Sequence, residues 1–184
     1  MKELSLNILD IAENSLKAGA SLTEIRLVET DDALTVSISD NGTGMTKEVL
    51  QTVRNPFYTT RTTRKVGMGI PLFKMAAEQT GGELKISSKH IGEYPDNHGT
   101  VVTASFNKNH IDYTPLGDVV STVITLIQGH PDTDFMFIHL LPDKEVSLDT
   151  RQLREVLGDV SLGTYEVISW IREYLLEQYS ENNQ

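Results

Sequence analysis

The chain contains no cysteine among its 184 residues. This absence excludes a disulfide framework, a thiolate zinc or iron–sulfur site and a thiol nucleophile. Long hydrophobic runs are also missing, since the longest apolar stretch, Val119–Ile127, is short and interrupted by hydroxyl side chains, so we expect no membrane-spanning helix. Acidic residues interrupt the N-terminus where a signal peptide would be apolar, and we therefore expect a cytoplasmic protein.

Basic side chains are scarce, with 16 Lys and Arg against 26 Asp and Glu and a net charge of −10. This balance argues against a broad nucleic-acid-binding surface, and we expect no nucleic-acid partner. The five histidines show no metal-binding spacing, so we assign no transition-metal site.

The acidic excess is unevenly distributed. Residues 1–108 hold 12 basic and 13 acidic side chains, a net of −1, whereas residues 109–184 hold 4 and 13, a net of −9. We predict two units, a near-neutral domain at 1–108 and an acidic extension at 109–184. The extension is interpreted as a regulatory unit or the contact surface for a protein partner; the alternative is a solvated surface that keeps the protein soluble.

The periodicity of apolar residues predicts the order helix, two strands, helix, loop, helix, two strands for the first unit. This order does not alternate strand and helix throughout, so it favours a mixed sheet with helices on one face over a doubly wound parallel sheet. For the extension we predict a small α+β unit. The predicted helices cover residues 4–18, 46–53, 70–79, 116–128, 150–157 and 164–178, and the predicted strands cover 24–30, 33–40, 83–88, 100–106, 134–141 and 145–148.

Three polar side chains share one face of the first predicted helix. Asp10, Asn14 and Lys17 are spaced four and three residues apart, opposite the apolar stripe. A solvated helix face explains this pattern. The functional alternative is that Asn14 binds a hard cation, Asp10 orients or deprotonates a water, and Lys17 meets a phosphate.

A glycine-rich turn follows the second strand, at Asp40-Asn41-Gly42-Thr43-Gly44. Gly42 and Gly44 allow tight turning and close approach of a ligand, and Asp40 can accept hydrogen bonds. An ordinary strand-to-helix turn would look the same. The dinucleotide fingerprint fails because position 47 is lysine, and no Walker A phosphate loop is present in the chain.

A third pattern precedes the helix at 70–79. It combines hydroxyl side chains with Arg61, Arg64 and Lys65 and ends in Gly67-Met68-Gly69. A helix N-terminus preceded by glycines is a ready site for an anion. The alternative is a flexible surface loop with incidental charge.

Taken together in this order, the three patterns resemble the GHKL ATPase family, which includes DNA gyrase B, the ninety-kilodalton heat-shock proteins, histidine kinases and MutL proteins. Residues 9–20 are similar to its N box, 40–44 to its first glycine box, 55–60 to the Pro-Phe-aromatic segment of histidine kinases, and 67–70 to its second glycine box. The resemblance covers about residues 1–108. It implies a Bergerat-type two-layer α/β sandwich, with nucleotide bound between the helices and a lid.

The resemblance also implies roles for individual residues, with ATP and Mg²⁺ as the bound species. Asn14 would be the Mg²⁺ ligand and Asp40 would accept from the adenine amino group. Thr100 would lie near the base, and Asp10 would be the general base. The family usually has glutamate where this chain has Asp10, which is one methylene shorter. The remaining expected nucleotide contacts are Lys17, Gly42, Gly44, Lys65, Gly67 and Gly69.

These expectations favour an ATP-binding regulatory protein that hydrolyses ATP slowly. One alternative is a serine kinase acting on a separate protein, as the stand-alone anti-sigma-factor kinases of the family do, and another is a non-catalytic ATP sensor. The N-box-like helix starts almost at Met1, so we do not expect an autophosphorylating histidine kinase from this chain alone. The sequence indicates no particular oligomeric state.

Overall fold

A computed structural model describes residues 3–54 and 68–181. The elements follow the predicted order, and their bounds differ from the predicted ones by at most three residues. They are α1 (Leu4–Lys17), β1 (Leu22–Glu29), β2 (Ala33–Asp40), α2 (Lys47–Arg54), α3 (Gly69–Gln79), β3 (Leu84–Lys89), β4 (Gly99–Asn107), α4 (Val119–Gly129), β5 (Asp134–Leu140), β6 (Glu145–Asp149), α5 (Thr150–Leu157) and α6 (Tyr165–Ser180).

The strands form one mixed sheet of six, in the order β3-β4-β2-β1-β5-β6. Neighbouring strands are antiparallel except for β1 and β5, which run parallel. The fold is therefore the predicted α/β sandwich with a mixed sheet. The strands of the extension continue this sheet beside β1, so the sheet runs across the predicted boundary at residue 108, and that boundary stays a prediction.

Helices α1, α3, α4 and α6 pack next to one another over the sheet. The alternation of the strands explains this arrangement, because β1 buries Ile25 and Leu27 and β2 buries Val36 and Ile38 on the helix side. These side chains join those of the helices in one hydrophobic core that includes residues of the extension, such as Phe137. Core formation thus stabilises both parts of the chain together.

The start of α1 is held by the segment that leads into the extension. No side chain in the described part of the chain caps α1. Instead, the backbone N–H groups of Leu4 and Ser5 donate to the carbonyls of Pro115 and Leu116 at 2.9 and 2.8 Å. Since the first N–H groups of a helix have no partner within it, this contact ties the extension directly to the helix that carries Asn14.

A buried polar network joins the two parts of the chain at the C-terminal end of β1. His139 is 2% exposed. Its Nε2 donates to Glu29 at 2.9 Å and its Nδ1 accepts from the Tyr179 hydroxyl at 2.6 Å. Burial lowers the pKa of His139 and raises the pKa of Tyr179. Burial alone would raise the pKa of Glu29, but hydrogen bonds from Lys108 and His139 outweigh it and lower that pKa, so the network holds a neutral imidazole and a carboxylate.

Side chains occupy one position on each edge strand of the sheet. At β6 the Gln178 side chain accepts from the Ser147 N–H and donates to the Ser147 carbonyl, each at 2.9 Å. At β3 the Arg54 guanidinium donates to the Ile86 carbonyl at 2.6 Å. Occupied edge groups discourage pairing with a strand of another chain. Within the described ranges, no helix is both long and apolar enough to cross a bilayer.

Candidate functional site

A cleft of about 520 Å³ opens between α1, the start of α3 and one end of the sheet. Five of the predicted site residues line it: Asn14, Lys17, Asp40, Gly44 and Thr100. Its apolar walls come from Ile11, Ile38, Met45, Val49, Ile70 and Val102. A cavity of the same volume at the β3 edge contains none of the predicted residues. An apolar cleft with a few convergent polar groups is the usual form of a small-molecule site.

A row of polar side chains crosses the sheet, and two of its members, Asp40 and Thr100, line the cleft. Strand register sets Thr23 opposite Asp40, Asp40 opposite Thr100, and Thr100 opposite Ser88. The hydroxyls of Ser88 and Thr100 are 2.8 Å apart, and the Ser88 hydroxyl accepts from the Met45 N–H at 2.7 Å. Sequence reasoning missed Ser88, although the two-residue alternation of β3 would have placed it on the inner face.

Asp40 and the first glycine turn form one hydrogen-bonded unit. Asp40 Oδ1 accepts from the Gly42 N–H at 2.9 Å, whereas Oδ2 accepts from no group in the described ranges. A Cβ on Gly42 would lie 2.9 Å from the Ala18 carbonyl oxygen. Gly44 has a φ of +72°, and a Cβ there would lie 2.0 Å from the Lys89 carbonyl oxygen. The close approach and the left-handed backbone explain why glycine occupies these positions.

Two further side chains, neither of them a predicted site residue, hold this turn in place. Asn41 Oδ1 accepts from the N–H groups of Ser21 and Leu22 at 2.9 and 3.0 Å, which fastens the turn to the start of β1. His98 Nδ1 donates to the Gly42 carbonyl at 2.5 Å. Asparagine is a common turn residue and could have been assigned this role from sequence. No local pattern indicated His98, because the contact spans 56 positions.

The polar face of α1 meets the cleft over only part of its length. Asn14 and Lys17 line the cleft, and the Asn14 amide makes no hydrogen bond to a described residue. Asp10 is exposed, lies one turn earlier and is not among the lining residues. A Cβ added to the buried Gly69 would lie 3.1 Å from the Asp10 Cβ, so Asp10 stands beside the start of α3.

The other predicted contacts, Lys65 and Gly67, lie outside the described residues, as do Arg61 and Arg64. Among the residues that the structure describes, no group of three or more His, Asp or Glu could hold a metal ion. The one predicted metal ligand in the cleft is the amide oxygen of Asn14. A single protein oxygen fits Mg²⁺, which usually keeps several waters and is completed by substrate phosphates.

The chain matches the protein family described as "Histidine kinase-, DNA gyrase B-, and HSP90-like ATPase" over residues 2–110. It is also similar to two Bacillus subtilis proteins, Sporulation kinase C and Sporulation kinase E. Identity is 30% over 89 residues for the first and 31% over 90 for the second, each covering 48% of this chain. The matched segment makes up 20% and 12% of those kinases.

Among solved structures, the chain resembles the Aquifex aeolicus MutL ATPase domain complexed with ADP. The TM-score is 0.55 at 16% identity, covering 85% of this chain and 69% of that one. Because 85% of the chain is more than residues 2–110 account for, the likeness in fold extends into the acidic part of the chain.

Proposed function

The chain belongs to the histidine kinase-, DNA gyrase B- and HSP90-like ATPase family, and on that premise we propose a cytoplasmic regulatory protein that binds ATP with Mg²⁺ and hydrolyses it slowly. The observation that carries the proposal is the convergence of Asn14, Lys17, Asp40 and Thr100, from three separate segments, on one cleft. In this proposal the acidic extension contacts a protein partner and conveys the nucleotide state to it.

The adenine ring occupies the apolar end of the cleft in this proposal. Ile38 and Val102 offer apolar surface there, and Asp40 supplies the specific contact. Since Oδ1 is engaged by the Gly42 N–H, Oδ2 accepts from the adenine amino group. The Thr100 hydroxyl, oriented by Ser88, bonds the ring edge. A buried donor–acceptor match of this kind discriminates strongly between bases.

The phosphates lie toward α1 and the start of α3. Lys17 neutralises phosphate charge, and the N-terminus of α3 at Gly69 favours anions through its free N–H groups. Asn14 would hold Mg²⁺ through its amide oxygen, and the ion would supply charge neutralisation at the phosphates. In this proposal these groups define the phosphate end of the site, and Asp40 and Thr100 define its adenine end.

Asp10 is the proposed general base for hydrolysis. Its exposed carboxylate lies one helical turn before Asn14 and beside the start of α3. In the proposed step a water oxygen bonds to the γ-phosphorus, the bond from that phosphorus to the bridging oxygen of ADP breaks, and Asp10 takes the proton of the water. Because aspartate reaches less far than glutamate, slow turnover is expected.

A serine-kinase activity is the second candidate, favoured by the two similar proteins that are named as kinases. In that case a serine hydroxyl of another protein replaces water as the attacking group. A sensor that binds ATP without turnover is the third candidate. Incubation with γ-labelled ATP and cell extract separates them, because the label ends as free phosphate, on a protein, or on unreacted ATP.

Calorimetric titration with ATP tests the binding site. We expect heat of binding that increases when Mg²⁺ is added, and Asn14→Ala should abolish this metal-dependent gain. Asn97→Ala, an equivalent change on the exposed β3–β4 loop, is the control and should leave both titrations unchanged. Absence of heat with or without Mg²⁺ refutes the proposed function, and normal Mg-ATP binding by Asn14→Ala refutes the metal assignment.

Release of labelled phosphate tests the catalytic assignment. Asp10→Asn keeps the size of the side chain but removes its basicity, so we expect binding near the wild-type level and loss of turnover by a factor of roughly 100 or more. Undiminished release by this variant would remove Asp10 from the role of base.

A further inference from the structure

A second concave surface lies in the extension, between α5 and α6 over the β5–β6 edge of the sheet. This groove, termed the α5–α6 groove, has a volume of about 310 Å³. The apolar side chains that line it are Met136, Leu148, Leu153, Val156, Trp170 and Tyr174. Among the described residues, none lines both this groove and the cleft, so the two are separate.

The groove leaves large apolar side chains exposed. Val156 is 86% exposed, Trp170 48% and Tyr174 38%. The rings of Trp170 and Tyr174 stack with centroids 4.9 Å apart and planes 10° apart, so the two aromatic side chains form one partly exposed apolar surface. Exposed clusters of this type mark interaction surfaces, and tryptophan and tyrosine dominate the energetics of protein contacts.

Acidic side chains surround this apolar surface. On α6, Glu173 and Glu177 follow Trp170 and Tyr174 by three residues each, and Glu166 precedes Trp170 by four, so all lie along the same exposed side. Glu145 lines the groove itself. None of these four glutamates forms an ion pair with a described residue.

Of the four cations of residues 109–184, Arg151 borders the groove, where its guanidinium pairs with the lining Asp149 and donates to the Met136 sulfur; it offsets Asp149, and none of the four cations pairs with the surrounding glutamates. Lys144 donates to the Tyr179 and Glu181 carbonyls, and Arg154 pairs with Asp134. The fourth, Arg172, donates to the Ser121 hydroxyl on α4. The negative potential along the groove therefore complements a positively charged ligand.

The shape of the surface selects the kind of ligand. Strand addition at β6 is blocked where Gln178 occupies both backbone groups of Ser147. A second copy of the chain bound groove to groove would bring two acidic surfaces together. An amphipathic helix, in contrast, presents apolar anchors one turn apart that match an apolar groove between two helices.

We infer that the α5–α6 groove docks a basic amphipathic helix of a partner protein, with apolar side chains against the Trp170–Tyr174 stack and lysines or arginines over the surrounding glutamates. A lysine or arginine near the exposed indole adds a cation–π contact. The inference deepens the partner-binding role of the extension within the proposed function. It requires no nucleotide, so the two can fail independently.

The only tryptophan of the chain, Trp170, lies in the groove and reports binding directly. The probe is a synthetic helical peptide with leucines on one face, lysines on the other and no tryptophan, titrated into the full chain without nucleotide. We expect a blue shift and saturation of the fluorescence, with affinity falling as salt is added. The same peptide with glutamates in place of lysines should not bind.

Charge-reversal variants distinguish binding at this groove from non-specific attraction of the peptide to an acidic protein. Glu173→Lys combined with Glu177→Lys should weaken peptide binding about tenfold or more. Glu93→Lys combined with Asp96→Lys makes the same charge change on the exposed β3–β4 loop and should weaken it far less. Equal losses in the two double variants, equal binding of the acidic peptide, or no fluorescence change would overturn the inference. So would light scattering that shows a dimer which Trp170→Ala dissociates, because the groove would then hold a second copy of the chain.

Discussion

Asp40→Asn tests the proposed recognition of adenine most directly. In the wild type, one carboxylate oxygen accepts from the Gly42 N–H at 2.9 Å, and the other is the proposed acceptor for the adenine amino group. An asparagine has only one acceptor oxygen. If that oxygen keeps the Gly42 bond, the amide NH₂ faces the adenine amino group, donor against donor; if it turns to adenine, the Gly42 N–H loses its partner.

The size of the effect follows from the bond that is lost. A hydrogen bond to a charged group contributes about 1.5–3 kcal/mol, which corresponds to a 10- to 150-fold weaker affinity for ATP, roughly. Guanine carries a carbonyl where adenine carries its amino group, and the asparagine NH₂ can donate to it. In Asp40→Asn the ratio of ATP affinity to GTP affinity should therefore fall by a larger factor than the ATP affinity does, because the affinity for GTP increases.

Calorimetry with ATP and with GTP on the wild type and the variant measures both quantities. Asp31→Asn is the matched control, because it makes the same charge change in the exposed hairpin at the opposite end of β2, and it should bind both nucleotides as the wild type does. Wild-type affinity for ATP in Asp40→Asn, or an unchanged ratio of the two nucleotides, would refute this account of the base contact.

Two further predictions concern stability, measured as the free energy of unfolding in urea. The Thr23 hydroxyl is buried without a partner among the described residues, so Thr23→Val should stabilise the protein by about 1 kcal/mol. Thr122, which is also buried, donates to the Ser5 carbonyl at 3.1 Å, and Thr122→Val should destabilise by a similar amount; equal effects would contradict the reasoning. Because burial lowers the pKa of His139 below its ordinary value of 6.5, the unfolded chain binds more protons, and stability should fall as the pH drops through about 6.5. His139→Gln should flatten that dependence between pH 7.5 and 5.5, roughly, and an unchanged slope would show that other groups cause it.

Local patterns were sufficient for the elements and for much of the candidate site. Apolar periodicity placed the helices and strands, because each element buries one face and therefore repeats its apolar residues at its own period. The spacing of Asp10, Asn14 and Lys17 put them on one side of α1, and the paired glycines after Asp40 located the turn. Each of these inferences depends only on residues that are neighbours along the chain.

Contacts between distant segments followed from the tertiary structure alone. The parallel pairing of β1 with β5 was not predicted, because strand partners are chosen by packing over the whole core rather than by either strand's own pattern. For the same reason His98 was missed beside the cleft and the Glu29–His139–Tyr179 network could not be anticipated, whereas the alternation of β3 could have assigned Ser88 to the inner face. The sequence by itself predicted an ATP-binding site and the residues that would form it. Three-dimensional packing decided that the acidic extension shares the sheet and the core with the helix that bears Asn14.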